Sequence, residues 1–350
     1  LKYNGSVWTN QTDSTGSGSG SSGDMYASGS WLNVKEEFTY GGATYQAVGN
    51  GSTDDWAAIQ ACIYRLGTTG GTIYFPPGTY YLSQALVLDA TTQTDFDSSN
   101  SGNQADVAVR NIRLLGASGH FPDVGNGGSV LKKNYNSNNI ITVDDIASIS
   151  IERLGFDCVT TDANGNPVNA TGGSAIHFET NLSQGYLSVE RCRIRNNFIG
   201  IHINGPSQCH VRDVRIDGIP NLSGTVGVVI DQGSDKRLDQ IRLENIIVHG
   251  EVSSNAHSHL LGFYFKNYAN SIWMKDCCGL LCKRGLVFDS SLGDESTDHV
   301  WDGVARGPGS FFRIDNCDFD QNGVNGIYIA GGSYIWITNN YVSSNENSGL

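Results

Sequence analysis

The chain has 350 residues, of which 39% are hydrophobic, and its 22 Lys and Arg against 35 Asp and Glu give a formal net charge of −13. Such an acidic chain argues against a nucleic-acid partner, because phosphate binding needs a basic surface. Membrane insertion is not predicted either, since no segment approaches the roughly 18 consecutive apolar residues of a membrane span. The apolar content suffices for a large core, and 44 Gly with 2 Met favour a single elongated domain of strands and turns.

The chain is predicted to fall into three parts. Residues 1–30 combine a short aromatic segment, YNGSVW, with the run TDSTGSGSGSSGD, whose composition is typical of a flexible linker. Residues 31–88 are predicted to form an N-terminal cap with one helix and the first strands. Residues 89–350 carry a repeated strand pattern. Since Gly349 and Leu350 would open another repeat, we expect the sequence to be a fragment that is truncated at this end.

Within the cap, apolar residues recur at helical spacing. Thr53 or Asp54 is the expected N-cap, because short polar side chains accept hydrogen bonds from the first amides of a helix. Strands are expected at 71–75 and 79–82, on either side of a Pro-Pro-Gly turn. An amphipathic helix at this place would cover the open end of a solenoid. Its apolar positions are Trp56, Ile59, Ile63 and Leu66.

The rest of the chain repeats one short unit, which the segment FRIDNCDFDQNGVNGIYI at 312–329 shows almost whole. A first strand ends at an Asn, Asp or Arg bend, a second strand follows, and after a loop comes a third strand that begins with Gly. Asn316 is expected to form the bend, because Asn tolerates the left-handed backbone conformation. The units align on Ile151, Val189, Val211, Leu243, Met274, Ile314 and Ile337.

Alternation puts every second residue of each strand inside. A unit that cannot bury its inner face alone has to stack on copies of itself, so the repeat predicts an all-β parallel β-helix with three strands per coil. Cys192, Cys277 and Cys317 share one repeat position, just after the bend, and are predicted to stack inside as unpaired thiols.

Two segments of the cap carry a more specific resemblance. GNGSTDDWAAIQACI followed by GGTIYFPPGTYYL resembles the start of pectate-lyase-like right-handed parallel β-helix proteins, a superfamily that includes bacteriophage tailspikes and many polysaccharide lyases and hydrolases. The aromatic segment and linker ahead of it look like the join between a virion-anchoring part and a tailspike shaft. The resemblance implies a homotrimeric phage tail protein, assembled in the host cytoplasm, that recognises a bacterial surface polysaccharide. A secreted protein is the alternative.

In the resembling families, the Gly-led strand faces the substrate. Its outward positions predict two columns in this chain. One contains His177, His202, Val229, Tyr264, Val287 and Tyr328, and its neighbour contains Glu179, Asn204, Asp231, Lys266, Asp289 and Ala330. The loops around these strands, at 157–173, 217–226, 249–261 and 289–310, are long, and long loops on a rigid scaffold often carry function.

These columns suggest a hydrolytic site. Asp231 is predicted to be one catalytic carboxylate, with Glu179 or Asp289 as its partner, because residues two coils apart are separated by about 9.6 Å and inverting glycosidases need roughly 6.5–9.5 Å. His177, His202, Tyr264, Lys266 and Tyr328 are the predicted substrate-binding residues, together with His249, whose neighbour in another column is Asp217. The competing interpretation is an ordinary solvated sheet surface.

Other chemistries remain open at this point. Elimination by a polysaccharide lyase would use a base and a cation that neutralises a uronate carboxylate, and a binding fibre would have no catalytic groups at all. The histidines of HGEVSSNAHSHL lack a fixed ligand set, so neither a metal nor another cofactor is predicted.

Overall fold

The fold was analysed in a computed structural model of the chain. The structure describes residues 31–66, 70–89, 111–117, 127–133, 138–144, 148–158, 172–179, 186–205, 208–218, 225–232, 240–250, 259–267, 271–289, 310–330 and 333–345, together with short strands at 2–3, 8–9, 160–161, 167–168, 252–253, 256–257, 299–301 and 304–306. No helix within these ranges is long and apolar enough to cross a membrane.

The chain folds into a right-handed parallel β-helix, as predicted. Each coil contributes to three parallel ladders, which we call sheets A, B and C in the order in which the chain visits them. Sheets A and B join into one 16-stranded sheet because two long strands, Gln208–Asp217 and Gln240–His249, continue from one into the other.

Sheet A contains the strands that precede the bend: Trp31–Asn33, Gly71–Phe75, Asn111–Gly116, Ser148–Glu152, Tyr186–Glu190, the first halves of the two long strands, Ile272–Lys275, Ser310–Asp315 and Ser333–Thr338. Sheet B contains the strands that follow it: Asn50–Asp54, Gly78–Leu82, Ser129–Lys133, Leu154–Asp157, Arg193–Arg195, the second halves of the two long strands and Cys278–Leu280.

Sheet C contains the third strand of each coil: Leu86–Asp89, Ile141–Asp144, Ser174–Glu179, Ile199–Asn204, Thr225–Gln232, His259–Asn267, Arg284–Asp289 and Asn325–Ala330. Short antiparallel pairs lie outside the three sheets: Lys2–Tyr3 with Trp8–Thr9, Phe38–Tyr40 with Ala43–Tyr45, Thr160–Thr161 with Pro167–Val168, Val252–Ser253 with Ala256–His257, and His299–Trp301 with Val304–Arg306. The predicted boundaries of the three parts of the chain stay a prediction, since most of residues 1–30 lies outside the described ranges.

The register of sheet A reproduces the predicted repeat alignment. Each of the seven aligned residues pairs with the next, from Ile151 with Val189 to Ile314 with Ile337. The inward column is buried from the second coil to the last but one, and it becomes 37% exposed at Ile337 on the last described strand. Its members with at most 3% exposure are Ile73, Leu114, Ile151, Val189, Val211, Leu243, Met274 and Ile314. Cys192, Cys277 and Cys317 are buried free thiols at the predicted position.

A left-handed residue separates sheets A and B in seven consecutive coils. Asn316 is one of them, as predicted, and the seven φ angles lie between 50° and 56°, at Arg153, Arg191, Asp213, Asn245, Asp276, Asn316 and Asn339. Side chains link two pairs of neighbouring bends: Asn245 Nδ2 donates to Asp213 Oδ1 at 2.7 Å, and Asn316 Nδ2 donates to Asp276 Oδ1 at 2.6 Å.

The helix Trp56–Leu66 covers the N-terminal end of the core with Ala58, Ile59, Cys62 and Ile63. The predicted N-cap needs correction, because Asp55 immediately precedes the helix and its carbonyl accepts the first helical bond, from Ile59 N. The carboxylate of Asp55 instead accepts from the amides of Val48 and Gly49, and Asp54 Oδ1 accepts from Trp56 N at 3.1 Å.

Gln60 supplies the hydrogen-bond partners that the edge strand of sheet C lacks. Its side chain is 2% exposed. Its Nε2 donates to Val87 O at 2.8 Å, and its Oε1 accepts from Val87 N at 2.9 Å. One side-chain amide therefore takes the place of a neighbouring strand, which protects the edge from pairing with other chains.

Replacing Gln60 with Leu is expected to destabilise the protein by about 2 kcal/mol, because both backbone groups of Val87 would lose their partners in a buried place. The measurement is the shift of the unfolding transition in urea. Ala57→Gln, on the exposed side of the same helix, is the matched control and is expected to change stability by less than about 0.5 kcal/mol. Equal transitions for Gln60→Leu and the wild type would show that the edge strand does not need the Gln60 side chain for stability.

Candidate functional site

The outer face of sheet C carries the two predicted columns in register. His177 pairs with His202, and the column continues through Val229, Tyr264, Val287 and Tyr328. The neighbouring column runs from Glu179 through Asn204, Asp231, Lys266 and Asp289 to Ala330. The sequence pattern therefore predicts which backbone positions of six consecutive coils lie side by side.

The acidic column extends further than predicted. Asp144 pairs with Glu179 on one side and with Asp89 on the other, so two more carboxylates precede Glu179. The sequence contains a signal for them, because LVLD and ITVD have the same alternation and the same terminal acid as IHFE and VVID. Neither segment begins with Gly or Ala, which is why the Gly-led repeat leaves them out.

Two histidines and an acid form a contact network at one end of this face. His177 Nδ1 lies 3.2 Å from His202 Nδ1, and the two rings meet edge to face with centroids 4.8 Å apart. His177 Nε2 lies 3.4 Å from Glu179 Oε2, while Asn204 Nδ2 donates to Glu179 Oε1 at 3.5 Å. Glu179 is thus oriented by groups from its own strand and from the next coil.

His202 is held in its neutral form. Burial is the main reason that its pKa falls to about 4, and His177 and Lys266 lower it further, while Asp231 and Glu179 act in the opposite direction. Its Nε2 is buried and has no hydrogen-bond partner among the described residues. At neutral pH this imidazole can therefore accept or donate a hydrogen bond without carrying charge.

A cation and an aromatic ring accompany Asp231. Lys266 Nζ lies 3.5 Å from Asp231 Oδ2, and it also lies 5.2 Å from the centroid of the Tyr264 ring. The Asp231 and Lys266 side chains are 20% and 31% exposed, so both are partly accessible to solvent. Asp231 lies two coils from Glu179, with Asn204 between them, which corresponds to about 9.6 Å between strand positions.

A second pair of a cation and an aromatic ring joins the predicted Tyr328 to Arg284, which was not among the predicted site residues. The Arg284 guanidinium carbon lies 5.2 Å from the centroid of the Tyr328 ring, and Arg284 Nε donates to Asn325 Oδ1 at 3.4 Å. Tyr328 is 41% exposed. Arg284 is the first residue of its strand. The equivalent positions in the preceding coils carry no charged residue, so the column pattern gives no signal for Arg284.

Two of the predicted site residues, Asp289 and His249, have no described side chain on sheet C. The backbone of Asp289 pairs with that of Lys266, but its side chain lies outside the described part of the structure. His249 lies in sheet B rather than in sheet C. Arg193 and Arg215 bind the two carboxylate oxygens of Asp217, and within the described residues no hydrogen bond joins Asp217 to His249.

The surroundings of the face are described only in part. The four long loops predicted to wall it fall mostly outside the described ranges, so their role stays a prediction. Among the described residues, no group of three or more His, Cys, Asp or Glu is arranged to hold a metal ion.

The stacked coils define a pectate-lyase-like right-handed parallel β-helix protein. The predicted outer face of sheet C is not wholly solvated, because Val229 and Val287 are buried there in a small apolar cluster against which Tyr264 packs. A family model described as rhamnogalacturonase A/epimerase, pectate lyase-like, matches residues 43–286, and the chain belongs to this family. No curated protein matches the chain.

Solved structures that are similar to the chain come from different settings. The chain is similar to the A-module of mannuronan C-5 epimerase AlgE6 from Azotobacter vinelandii, with 17% identity, a TM-score of 0.43 and coverage of 86% of this chain and 75% of that one. It is similar to ORF18 of Geobacillus virus E2, with 14% identity, a TM-score of 0.40 and coverage of 92% and 60%. It is also similar to PfbA, a surface adhesin of Streptococcus pneumoniae, with 16% identity, a TM-score of 0.47 and coverage of 90% of this chain and 81% of that one. At these identities and TM-scores the likenesses carry no argument about this chain.

The neutral state of His202 predicts a pH dependence of stability. The folded pKa of about 4 lies below the unfolded value near 6.5, so the unfolded chain binds more protons between these values. The free energy of unfolding is therefore expected to fall as the pH decreases through this window, by at most about 3 kcal/mol.

An NMR titration of the His202 ring gives the direct measurement. His177→Gln should raise the pKa of His202 without restoring its ordinary value, because burial is the larger cause. His202→Gln should remove this part of the pH dependence of unfolding. A His202 ring that titrates near pH 6.5 in the folded protein would contradict the assignment.

Proposed function

We propose that this protein binds and cleaves a polysaccharide along the outer face of sheet C. The observation that carries the proposal is the register of Glu179, Asn204, Asp231 and Lys266 on four consecutive coils. A polymer lying across these coils would meet two carboxylates, an amide and a cation on one rigid surface. Membership of a family described by the words rhamnogalacturonase and epimerase supports a carbohydrate ligand.

The favoured reaction is hydrolysis by Glu179 and Asp231. Their strand positions are separated by about 9.6 Å, close to the roughly 6.5–9.5 Å that leaves room for a water molecule in an inverting glycosidase. One carboxyl group would protonate the leaving oxygen while the other activates the water. Asp289, two coils beyond Asp231, remains the alternative partner.

The remaining groups of the face suit sugar binding. The Tyr264 and Tyr328 rings can stack against the apolar faces of sugar rings, and Lys266 and Arg284 can bind hydroxyl or carboxylate oxygens. His177 and His202 add hydrogen-bonding groups next to Glu179, and burial keeps His202 neutral. His249 lies on sheet B. It would contact a substrate only if the polymer extends from sheet C to sheet B, or if the loop that follows His249 reaches across to sheet C.

The biological setting belongs to the same proposal. The N-terminal segments that resemble tailspikes support a homotrimeric phage tail protein whose ligand is a bacterial capsule or O-antigen. Light scattering of the purified protein gives the oligomeric state, and a monomer would contradict the tailspike assignment while leaving the site intact.

Lyase or epimerase chemistry is the second candidate, and the cations of sheet C favour it. Lys266 and Arg284 can neutralise a uronate carboxylate, and His177, beside Glu179, can act as the base that abstracts the proton next to that carboxylate. Cleavage by elimination creates an unsaturated sugar, whereas hydrolysis does not.

The test is incubation of the protein with a panel of capsular polysaccharides and O-antigens, followed by polymer size and ultraviolet absorbance. Shortening without a new absorbance is expected. Asp231→Asn and Glu179→Gln are each expected to reduce turnover by on the order of 100-fold or more, because each removes one acid or base group.

Asp213→Asn is the matched control, since Asp213 lies at a bend away from sheet C and Asn is favourable in its left-handed conformation. It should leave turnover unchanged. Wild-type rates for both site variants would exclude the carboxylate pair, and shortening with absorbance would replace hydrolysis by elimination. Retention of a polymer that is never shortened would leave a binding fibre.

A further inference from the structure

The outer face of sheet A carries a second array of exposed side chains. Arg242, Trp273, Arg313 and Trp336 occupy one outward position on four consecutive coils, in register. We call these four residues the aromatic platform. Trp273 is 51% exposed, far more than side chains that contribute to a core. Trp336, which is 49% exposed, lies on the last described strand of sheet A.

The rings of the platform are held by their neighbours. The guanidinium carbon of Arg242 lies 5.3 Å from the centroid of the Trp273 ring. Arg313 NH2 lies 3.6 Å from Asp315 Oδ2, which orients it on the coil between the two Trp residues. Trp273 has a paired strand on each side, so its exposure is a property of the face itself.

Two further aromatic residues widen the platform at its last coils. Phe311 and Tyr334 have φ angles of 66° and 55°, a left-handed conformation that is costly for bulky side chains. Their rings stack in parallel with centroids 5.2 Å apart, and the Tyr334 ring lies 6.4 Å from that of Trp336. Both are exposed, at 48% and 65%. Ser271, at the equivalent position one coil earlier, has a φ angle of 54°. The left-handed conformation therefore belongs to the turn into these strands, and the side chains of Phe311 and Tyr334 extend from it into solvent.

We propose that the aromatic platform is a second carbohydrate-binding site, separate from sheet C. A sugar ring has an apolar face and a polar rim, and an exposed indole flanked by Arg donors matches both parts. Trp273 and Trp336 are two coils apart, about 9.6 Å, which is the length scale of a disaccharide. A polymer running parallel to the axis of the β-helix would therefore place every second sugar on a Trp.

The shape of the surface favours a glycan over a protein partner. The next outward column is charged or polar, with Glu244, Lys275, Asp315 and Thr338 in register beside the platform. The platform is therefore a narrow aromatic strip, whereas a stable protein interface buries about 800 Å² on each partner around an apolar centre. A single extended chain fits a strip better than a folded surface does.

This site takes the same class of ligand as the proposed function, but it does not depend on catalysis. The experiment measures how strongly gels containing each polysaccharide of the panel retard the migration of the protein. All variants are made in the Asp231→Asn background, so that cleavage does not remove the ligand. Trp273→Ala and Trp336→Ala are each expected to weaken retardation by on the order of tenfold, and Trp273→Phe by less, since it keeps a ring.

Tyr186→Ala is the matched control, because Tyr186 is a 40% exposed aromatic residue of sheet A that lies outside the platform. It should migrate like its parent. Unchanged retardation of both Trp variants, or the absence of retardation by every polysaccharide, would overturn the inference. Loss of oligomers in light scattering with retardation unchanged would also overturn it and would identify the face as a subunit contact.

The two proposals fail in different ways. If the wild type shortens no polymer but the Trp variants lose retardation, the second site stands and the catalytic proposal does not. If the wild type shortens a polymer and the Trp variants are retarded like their parent, the catalytic proposal stands alone.

Discussion

Coil-to-coil hydrogen bonding in register is the constraint on which the rest of the structure depends. Each strand pairs with the equivalent strand one coil away, and the left-handed residue between sheets A and B forces the chain to turn at the same place each time. Arg153 and Arg191 adopt this conformation although Asn and Asp suit it better. Their amides donate to the next coil at 3.0 and 3.2 Å, so the ladder holds a conformation that the side chain alone would not select.

That regularity explains how much could be predicted. An inward residue has to match its neighbours in size and polarity, so the apolar alternation shows the register of sheets A and C directly. Gln60 could not be found in this way, because a buried polar residue on a helix has no repeat partner and acquires its role only from the strand edge it meets. The same holds for His202, since its burial depends on what packs around it and not on the column to which it belongs.

The regularity also separates two kinds of outer surface. On sheet A, charges of opposite sign are paired across coils, as in Arg113 with Glu152 and Arg212 with Glu190, and such surface pairs add little stability. On sheet C, Asp89, Asp144 and Glu179 stand side by side in three consecutive coils. Like charges at neighbouring strand positions are unfavourable unless other groups compensate them, as His177 and Asn204 do for Glu179.

The spacing between coils limits the chemistry that such a column can perform. Groups on adjacent coils come into direct contact, as His177 and His202 or Asp231 and Lys266 do, while groups two coils apart leave room for a water molecule and a sugar. Asp144 and Glu179, on adjacent coils about 4.8 Å apart, would suit the roughly 5 Å of a retaining pair. Glu179 and Asp231, with neutral Asn204 between them, suit an inverting pair. Because Lys266 contacts Asp231 and lies on the same face as the Tyr264 ring, the cation and the aromatic surface accompany the wider pair, and this combination favours inversion as the stereochemical outcome of the proposed hydrolysis.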